Sequence, residues 1–221
     1  MSGNSLIIII QARMSSRRLP GKMLKNMHKM PLLYWVIERV KKIKHKYPIV
    51  VATSVDKSDD LIFEFCEKNN VACFRGSLEN VSKRFLDCAK FYEIESFVRI
   101  NGDSPLIDPR IIEKGIEKFQ TLKPDMVTNV FPRSYPKGQS VEVLKLSTFS
   151  KYYKLMNKQS HFEHVTSFFY ENPSYCSIYN FSNNEDFSKI QHSVDSQEDF
   201  NNIEQIIMNQ GINVSYEDIL Y

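Results

Sequence analysis

Glycine is scarce in this sequence, with seven in 221 residues, and cysteine is scarcer, with four. Cys66, Cys73, Cys88 and Cys176 stand apart with no C-x-x-C spacing, which argues against a zinc ribbon, a dithiol redox motif or a disulfide framework. Free thiols acting as small core side chains in a reducing cytoplasm are expected. Long apolar runs are lacking too. The run at 6–10 is too short to cross a bilayer, with no basic residues ahead of it and no small-residue cleavage site behind it, so a cytoplasmic chain is expected. An excess of one charge sign is also missing. Lys and Arg number 29 against 26 Asp and Glu, so the net charge of +3 gives no overall footprint for nucleic acid or membrane, and any anion site must be local.

What is present alternates. Short β-branched apolar runs at 6–10, 49–53, 71–74 and 97–100 read as strands, and between them lie segments of helical period at 31–47, 59–69, 78–92 and 108–119. That order is the pattern of βαβ units around a parallel sheet, and the length suits one α/β domain. The helix at 31–47 carries Leu32, Val36, Val40 and Ile43 on one face, with Pro31 suited to its first turn, and Asp108-Pro109 marks the start of another. Beyond about residue 125 the periodicity weakens and Tyr, Phe, Asn and Ser become common, before a final strand and helix expected within 190–211. No internal repeat or low-complexity tract interrupts the chain.

Because glycines are few, their placement is informative. Gly21, Gly76, Gly102 and Gly138 fall beside polar residues in expected loops, three of them directly after a strand, where ligands of open parallel sheets bind. The first such loop, QARMSSRRLPGK at 11–22, concentrates Arg13, Arg17, Arg18 and Lys22 with Ser15 and Ser16. Arginine forks match phosphate oxygens, and hydroxyls and loop amides add donors, so the loop reads as a phosphate cradle of neither Walker A nor G-x-G-x-x-G type. The loop NGDSPLID at 101–108 sets Asp103 after a strand and beside Gly102. Asp195, at the end of QHSVD and ahead of the capping box SQED, holds the same strand-to-helix position. Either aspartate alone could be a helix cap. Together, opposite a basic loop, they suit a magnesium ion that takes one or two carboxylates plus substrate phosphates.

The segments IIIIQARMSSRRLPGK, VVATS, FRGSLENVSKRF, VRINGDSPLIDP, HFEHVT and SVDSQEDF, in this order and across nearly the whole chain, resemble the SpsF-like branch of the cytidylyltransferases, relatives of the CMP-KDO and CMP-sialic acid synthetases. The resemblance implies a Rossmann-like, mostly parallel sheet of the nucleotide-diphospho-sugar transferase type, CTP as donor, and Mg²⁺ on Asp103 and Asp195. It implies a nucleotide site of Ala12, Arg13, Ser15, Arg18, Lys22, Arg75, Ser77 and Asp103, with Arg13, Lys22 and Asp103 carrying the chemistry and the FRGS loop reaching cytosine or ribose. The chain then divides into a nucleotide-binding half, 1–125, and an acceptor-binding and dimerising half, 126–221, in a single domain spanning 1–221.

For the acceptor, YPKGQSVEV offers Gly138, Gln139 and Glu142, HFEHVT offers Glu163 and His164, and Arg133 and Lys137 could meet an acidic group. Ser140 stands where many SpsF-like chains carry aspartate. His161 and His164 lack further ligands nearby in sequence, and zinc is set aside. The rings Phe162, Phe168, Phe169, Tyr170 and Tyr175 suit a core, a sugar pocket or a homodimer face. The expected activity is transfer of CMP to an acidic sugar or a small phosphorylated acid, with pyrophosphate released, in surface polysaccharide synthesis. A glycosyltransferase would want an Asp-x-Asp at a strand end, which is not found. A non-catalytic nucleotide-binding module would have little use for two converging carboxylates, whose repulsion only a cation relieves.

Overall fold

Strand β1 (Leu6–Gln11) is buried on both faces, which is why its sequence is an unbroken apolar run rather than an alternation. The computed structural model describes residues 6–220. In chain order, β2 (Asn26–Met27) and β3 (Met30–Pro31) form a small antiparallel ribbon, followed by α1 (Leu32–Val40), β4 (Ile49–Ser54), α2 (Asp60–Lys68), β5 (Ala72–Gly76), α3 (Val81–Phe91), β6 (Ser96–Asn101) and α4 (Pro109–Leu122). Then come β7 (Met126–Thr128), β8 (Glu142–Lys145), α5 (Leu146–Tyr153), α6 (Gln159–Glu163), α7 (Ser167–Glu171), β9 (Ile178–Asn180) and α8 (Gln197–Gln210).

Seven strands make one sheet in the order β5-β4-β1-β6-β8-β7-β9. The first four are parallel, β8 runs antiparallel to both of its neighbours, and β9 is parallel to β7, so the mostly parallel Rossmann-like sheet expected from the sequence is present. Its two faces bury separate cores. Leu6, Ile8 and Ile10 face one core with side chains of α1, α4 and α8, while Ile7 and Ile9 face the other with α3, α5 and α7. Because β4 and β6 flank β1 and their crossovers diverge, the carboxyl ends of β1 and β6 open a crevice. No helix among the described residues is long and apolar enough to cross a membrane.

Three expectations need correction. The helix expected over 31–47 ends at Val40, since the following KKIKHK run would stack like charges at helical spacing and Pro48 disfavours helix at Tyr47. Arg75 and Gly76, expected in a loop, are the last residues of β5, with Arg75 paired to Thr53 and Gly76 to Ser54. The strand expected near 190 is only an isolated bridge between Lys137 and Gln191, so Asp195 follows a loop instead. The capping box does form, with Ser196 and Asp199 exchanging hydrogen bonds at the start of α8.

Candidate active site

The loop after β1 is braced before any ligand arrives. Asp59, fully buried, accepts the amide of Met14 at 2.7 Å on one oxygen and the amide of Ser54 at 3.0 Å, with the Ser54 hydroxyl, on the other. Met14 in turn accepts the amides of Ser16 and Gly21, closing the loop on itself. Behind it lies Arg84 of α3, wholly buried, whose Nη1 donates to the Ser77 carbonyl at 3.0 Å. Burial pushes the Arg84 guanidinium down to about 10, still charged at neutral pH, with Asp59 opposing the shift and Arg13 adding to it. Its Nε and Nη2 have no partner among the described residues.

The crevice is a cavity of about 620 Å³. Arg13, Ser16, Arg17, Arg18 and Lys22 of the loop line it, as do Asn101 at the end of β6, Gly102 and Asp103 beyond it, and Asp195 ahead of α8. Lys22, almost fully buried, ties these together: its Nζ donates to Asp103 Oδ2 at 2.7 Å and to the Val194 carbonyl at 2.6 Å, and lies 3.7 Å from Asp195 Oδ1. Arg18 reaches the same Asp195 oxygen at 3.0 Å. Gly102 is required here, because a Cβ would lie 2.6 Å from the Gln11 carbonyl that its own amide bonds. The Val194 amide bonds the Asp103 carbonyl at 2.8 Å, so the segment bearing Asp195 is laced to the Asp103 loop.

Two carboxylates within reach of one ammonium group could share a small hard cation just as well, with phosphate oxygens and water completing its shell. Among the described residues no group of three or more His, Cys, Asp or Glu is gathered where it could hold a metal ion. The buried His161 ring instead meets Glu171 at 3.1 Å.

The other wall comes from α6 and the strand interiors. Glu163 pairs with Arg13 across the cavity, and Gln159, Ser160 and His164 line it beside Glu163. Gln11 and Arg99 line the floor from β1 and β6. Of the residues expected from sequence, Arg13, Arg18, Lys22, Asp103, Asp195, Glu163 and His164 therefore come together. Ala12 is buried beneath the loop, its Cβ against Gly102, and Ser15 is exposed outside the lining.

Others are engaged elsewhere. Arg75 donates to the Ser54 carbonyl at 2.9 Å and to Asp60 at 2.6 Å, and Ser77 accepts the Asn80 amide at 3.0 Å where α3 begins. Gln139 is fully buried and spends its amide on the Asp108 N–H and the Leu106 carbonyl, both at 2.8 Å. Arg133 bonds Ser140 Oγ at 3.0 Å, Lys137 is exposed, and Glu142 is buried beneath Arg99. Gln11, Asp59, Arg84, Arg99 and Asn101 were not singled out from sequence. A lone charge inside an apolar strand, as in FVRIN, was the available signal for Arg99.

The cytidylyltransferase family profile matches residues 7–219. The spore coat polysaccharide biosynthesis protein SpsF of Bacillus subtilis is 28% identical over 94% of this chain and 88% of its own. A cytidylyltransferase from Leptospira borgpetersenii superposes with a TM-score of 0.93 at 32% identity, over 98% of this chain and 92% of that one. A CMP:2-keto-3-deoxy-manno-octonic acid synthetase complexed with CTP shares the fold at 16% identity, with a TM-score of 0.72 over 93% of this chain and 99% of that one.

Proposed function

The chain belongs to the cytidylyltransferase family, and we propose that it transfers CMP from CTP to an acidic sugar or small phosphorylated acid, with Mg²⁺ and release of pyrophosphate, in surface polysaccharide synthesis. The observation that carries this reading is Lys22 Nζ lying between the carboxylates of Asp103 and Asp195 at the foot of an arginine-rich loop. Arg13, Arg18 and Lys22 would hold the triphosphate, Arg13 exchanging Glu163 for a phosphate oxygen. Asp103 and Asp195 would hold Mg²⁺, which when bound neutralises phosphate charge and polarises the phosphorus–oxygen bonds.

Nucleotidyl transfer needs positioning and charge neutralisation from the protein and no protein nucleophile. An acceptor oxygen attacks the α-phosphorus in line, its bond to the bridging oxygen breaks, and pyrophosphate leaves against Lys22 and the arginines. A carboxylate or phosphate acceptor attacks already ionised. A hydroxyl acceptor needs a base, and Glu163 or His164, both lining the cavity, would serve as one.

The test is pyrophosphate release from CTP and Mg²⁺ across a panel of 3-deoxy-ulosonic acids, nonulosonic acids and small phosphorylated acids, with UTP in parallel. Turnover with one acceptor, reduced roughly a thousandfold by Asp103→Ala, is expected. CTP binding with no pyrophosphate from any acceptor would make the chain a binding module. Release of nucleoside diphosphate from a nucleotide sugar would make it a glycosyltransferase.

A further inference from the structure

The face of the sheet that carries α3 and α5 changes character abruptly across three adjacent strands. Phe97, Leu144 and Met126 lie in register on β6, β8 and β7, all buried in the core. One pleat further, the register brings Arg99, Glu142 and Thr128 into a row on the same face. The row is fully built. Glu142, 2% exposed, takes Arg99 Nη1 on one carboxylate oxygen and the Tyr170 hydroxyl on the other, and that hydroxyl lies 2.8 Å from Thr128 Oγ1.

Arg99 is anchored by Glu142 and incompletely paired elsewhere. Glu142 occupies one nitrogen, Nη2 makes only a long 3.3 Å bond to Gln11, and Nε has no partner among the described residues. The side chain is 13% exposed and is among those that line the cavity. A guanidinium at a cavity wall with a weakly held donor has bonding capacity left for a ligand, and a carboxylate fixing its plane from beneath preorganises it for an oxyanion. It touches the phosphate loop only at that loop's first residue, Gln11. Arg99 sits four residues before Asp103, deeper in β6 and against β8, whereas Arg13 and Arg18 extend from the end of β1.

We propose that Arg99 is a specificity-determining residue that binds an oxyanion of the acceptor, a carboxylate or a phosphate, with Glu142, Tyr170 and Thr128 as its positioning residues. This rests on the transfer reading above for the word acceptor, though not for the anion site itself. Net charge agrees: five lining guanidinium or ammonium groups face three lining carboxylates.

The experiment saturates the protein with an α,β-methylene analogue of CTP and Mg²⁺, then titrates pyruvate in one arm and glycerol 3-phosphate in the other, following binding by NMR. One arm should bind, and Arg99→Gln should weaken it by about tenfold or more, the loss of a charge-assisted fork, while affinity for the CTP analogue stays within about twofold. Arg99→Lys keeps a cation for Glu142, guards against misfolding, and should fall between. The saturating arm names the anion as carboxylate or phosphate. Binding in neither arm, binding indifferent to both Arg99 variants, or equal loss of the CTP analogue would overturn the assignment. Absence of pyrophosphate release by the unmodified protein, alongside an Arg99-dependent anion, would overturn the transfer reading and leave the subsite standing.

Discussion

On the β1 side of the cavity, polar groups stand on loops that are pinned through their main chain, Met14 and Ser54 to the buried Asp59 and Gly102 to Gln11. On the β8 side they stand inside strands and are pinned side chain to side chain, Arg99 to Glu142 to Tyr170. The first arrangement fixes where donors point whatever the loop's side chains are. The second fixes one guanidinium and depends on every partner being of the right kind. In the proposed reaction the triphosphate would be the constant partner and would suit the first. Acceptors differ, and side-chain networks can be changed by substitution without moving the backbone.

The sharpest way to break that contrast is to cut each brace in turn. Asp59→Asn removes the charge from three hydrogen bonds in a fully buried position and should cost about 3 kcal/mol of stability, roughly 6–12 °C in Tm. CTP affinity should fall by about tenfold as the loop loosens, with oxyanion affinity little changed. Glu142→Gln should cost a similar amount, because Arg99 loses its buried counter-charge, and should produce the reverse pattern of ligand effects. Thermal melts and the two titrations report both. If each variant weakened both ligands alike, the two sides would be one cooperative unit and the contrast would fail.

A smaller effect sharpens the boundary of the β8 side. Gln139 stands in the segment expected to meet the acceptor, yet both ends of its amide satisfy backbone groups that join the loop after β6 to the loop before β8. Gln139→Leu leaves a buried N–H and a buried carbonyl unpaired and should cost about 2 kcal/mol, with the acceptor KM unchanged at a permissive temperature. A raised acceptor KM with unchanged stability would return Gln139 to the ligand.

How much of this could be read from sequence follows the same division. The parallel half announces itself, because each strand there is a continuous apolar run followed by a special loop. Arg13, Arg18, Lys22 and Asp103 stand at such positions, and the structure gathers them at one cavity with Asp195, which was expected after a strand that does not form. The Ser196 capping box was legible for the same reason, being local. In the antiparallel half Glu163 and His164 were expected at the cavity and line it, but the strands were not legible. β7, β8 and β9 are three or four residues long, too short for a period, and the pairing of Arg99 with Glu142 joins positions 43 apart that no local pattern relates. Arg75 was misplaced because β5 continues past its apolar residues, and a strand was expected near 190 where one bridge suffices.

The smallest effect falls at the seam between the two sides. His192 is buried, its backbone bonds Lys137 at 2.7 Å, and Gly138, at φ +96°, packs so closely against it that a Cβ would lie 2.5 Å from its carbonyl group. Burial holds the imidazole below its ordinary pKa of 6.5, with Arg39 adding to the shift and the bond to the Ile219 carbonyl opposing it. Below pH 6.5 the unfolded chain takes up a proton that the folded chain refuses, so stability should fall as pH drops through that value and level off once the folded-state pKa is passed. The comparison that isolates the ring is between the unmodified protein and His192→Asn, melted at pH 7.5 and 5.5. The unmodified protein should lose more. Parallel losses would mean that the ring accepts its proton without cost. A larger loss locates the acid-sensitive seam two residues ahead of Val194, whose amide laces the Asp195 segment to Asp103, and there a change in stability reaches both sides of the cavity at once.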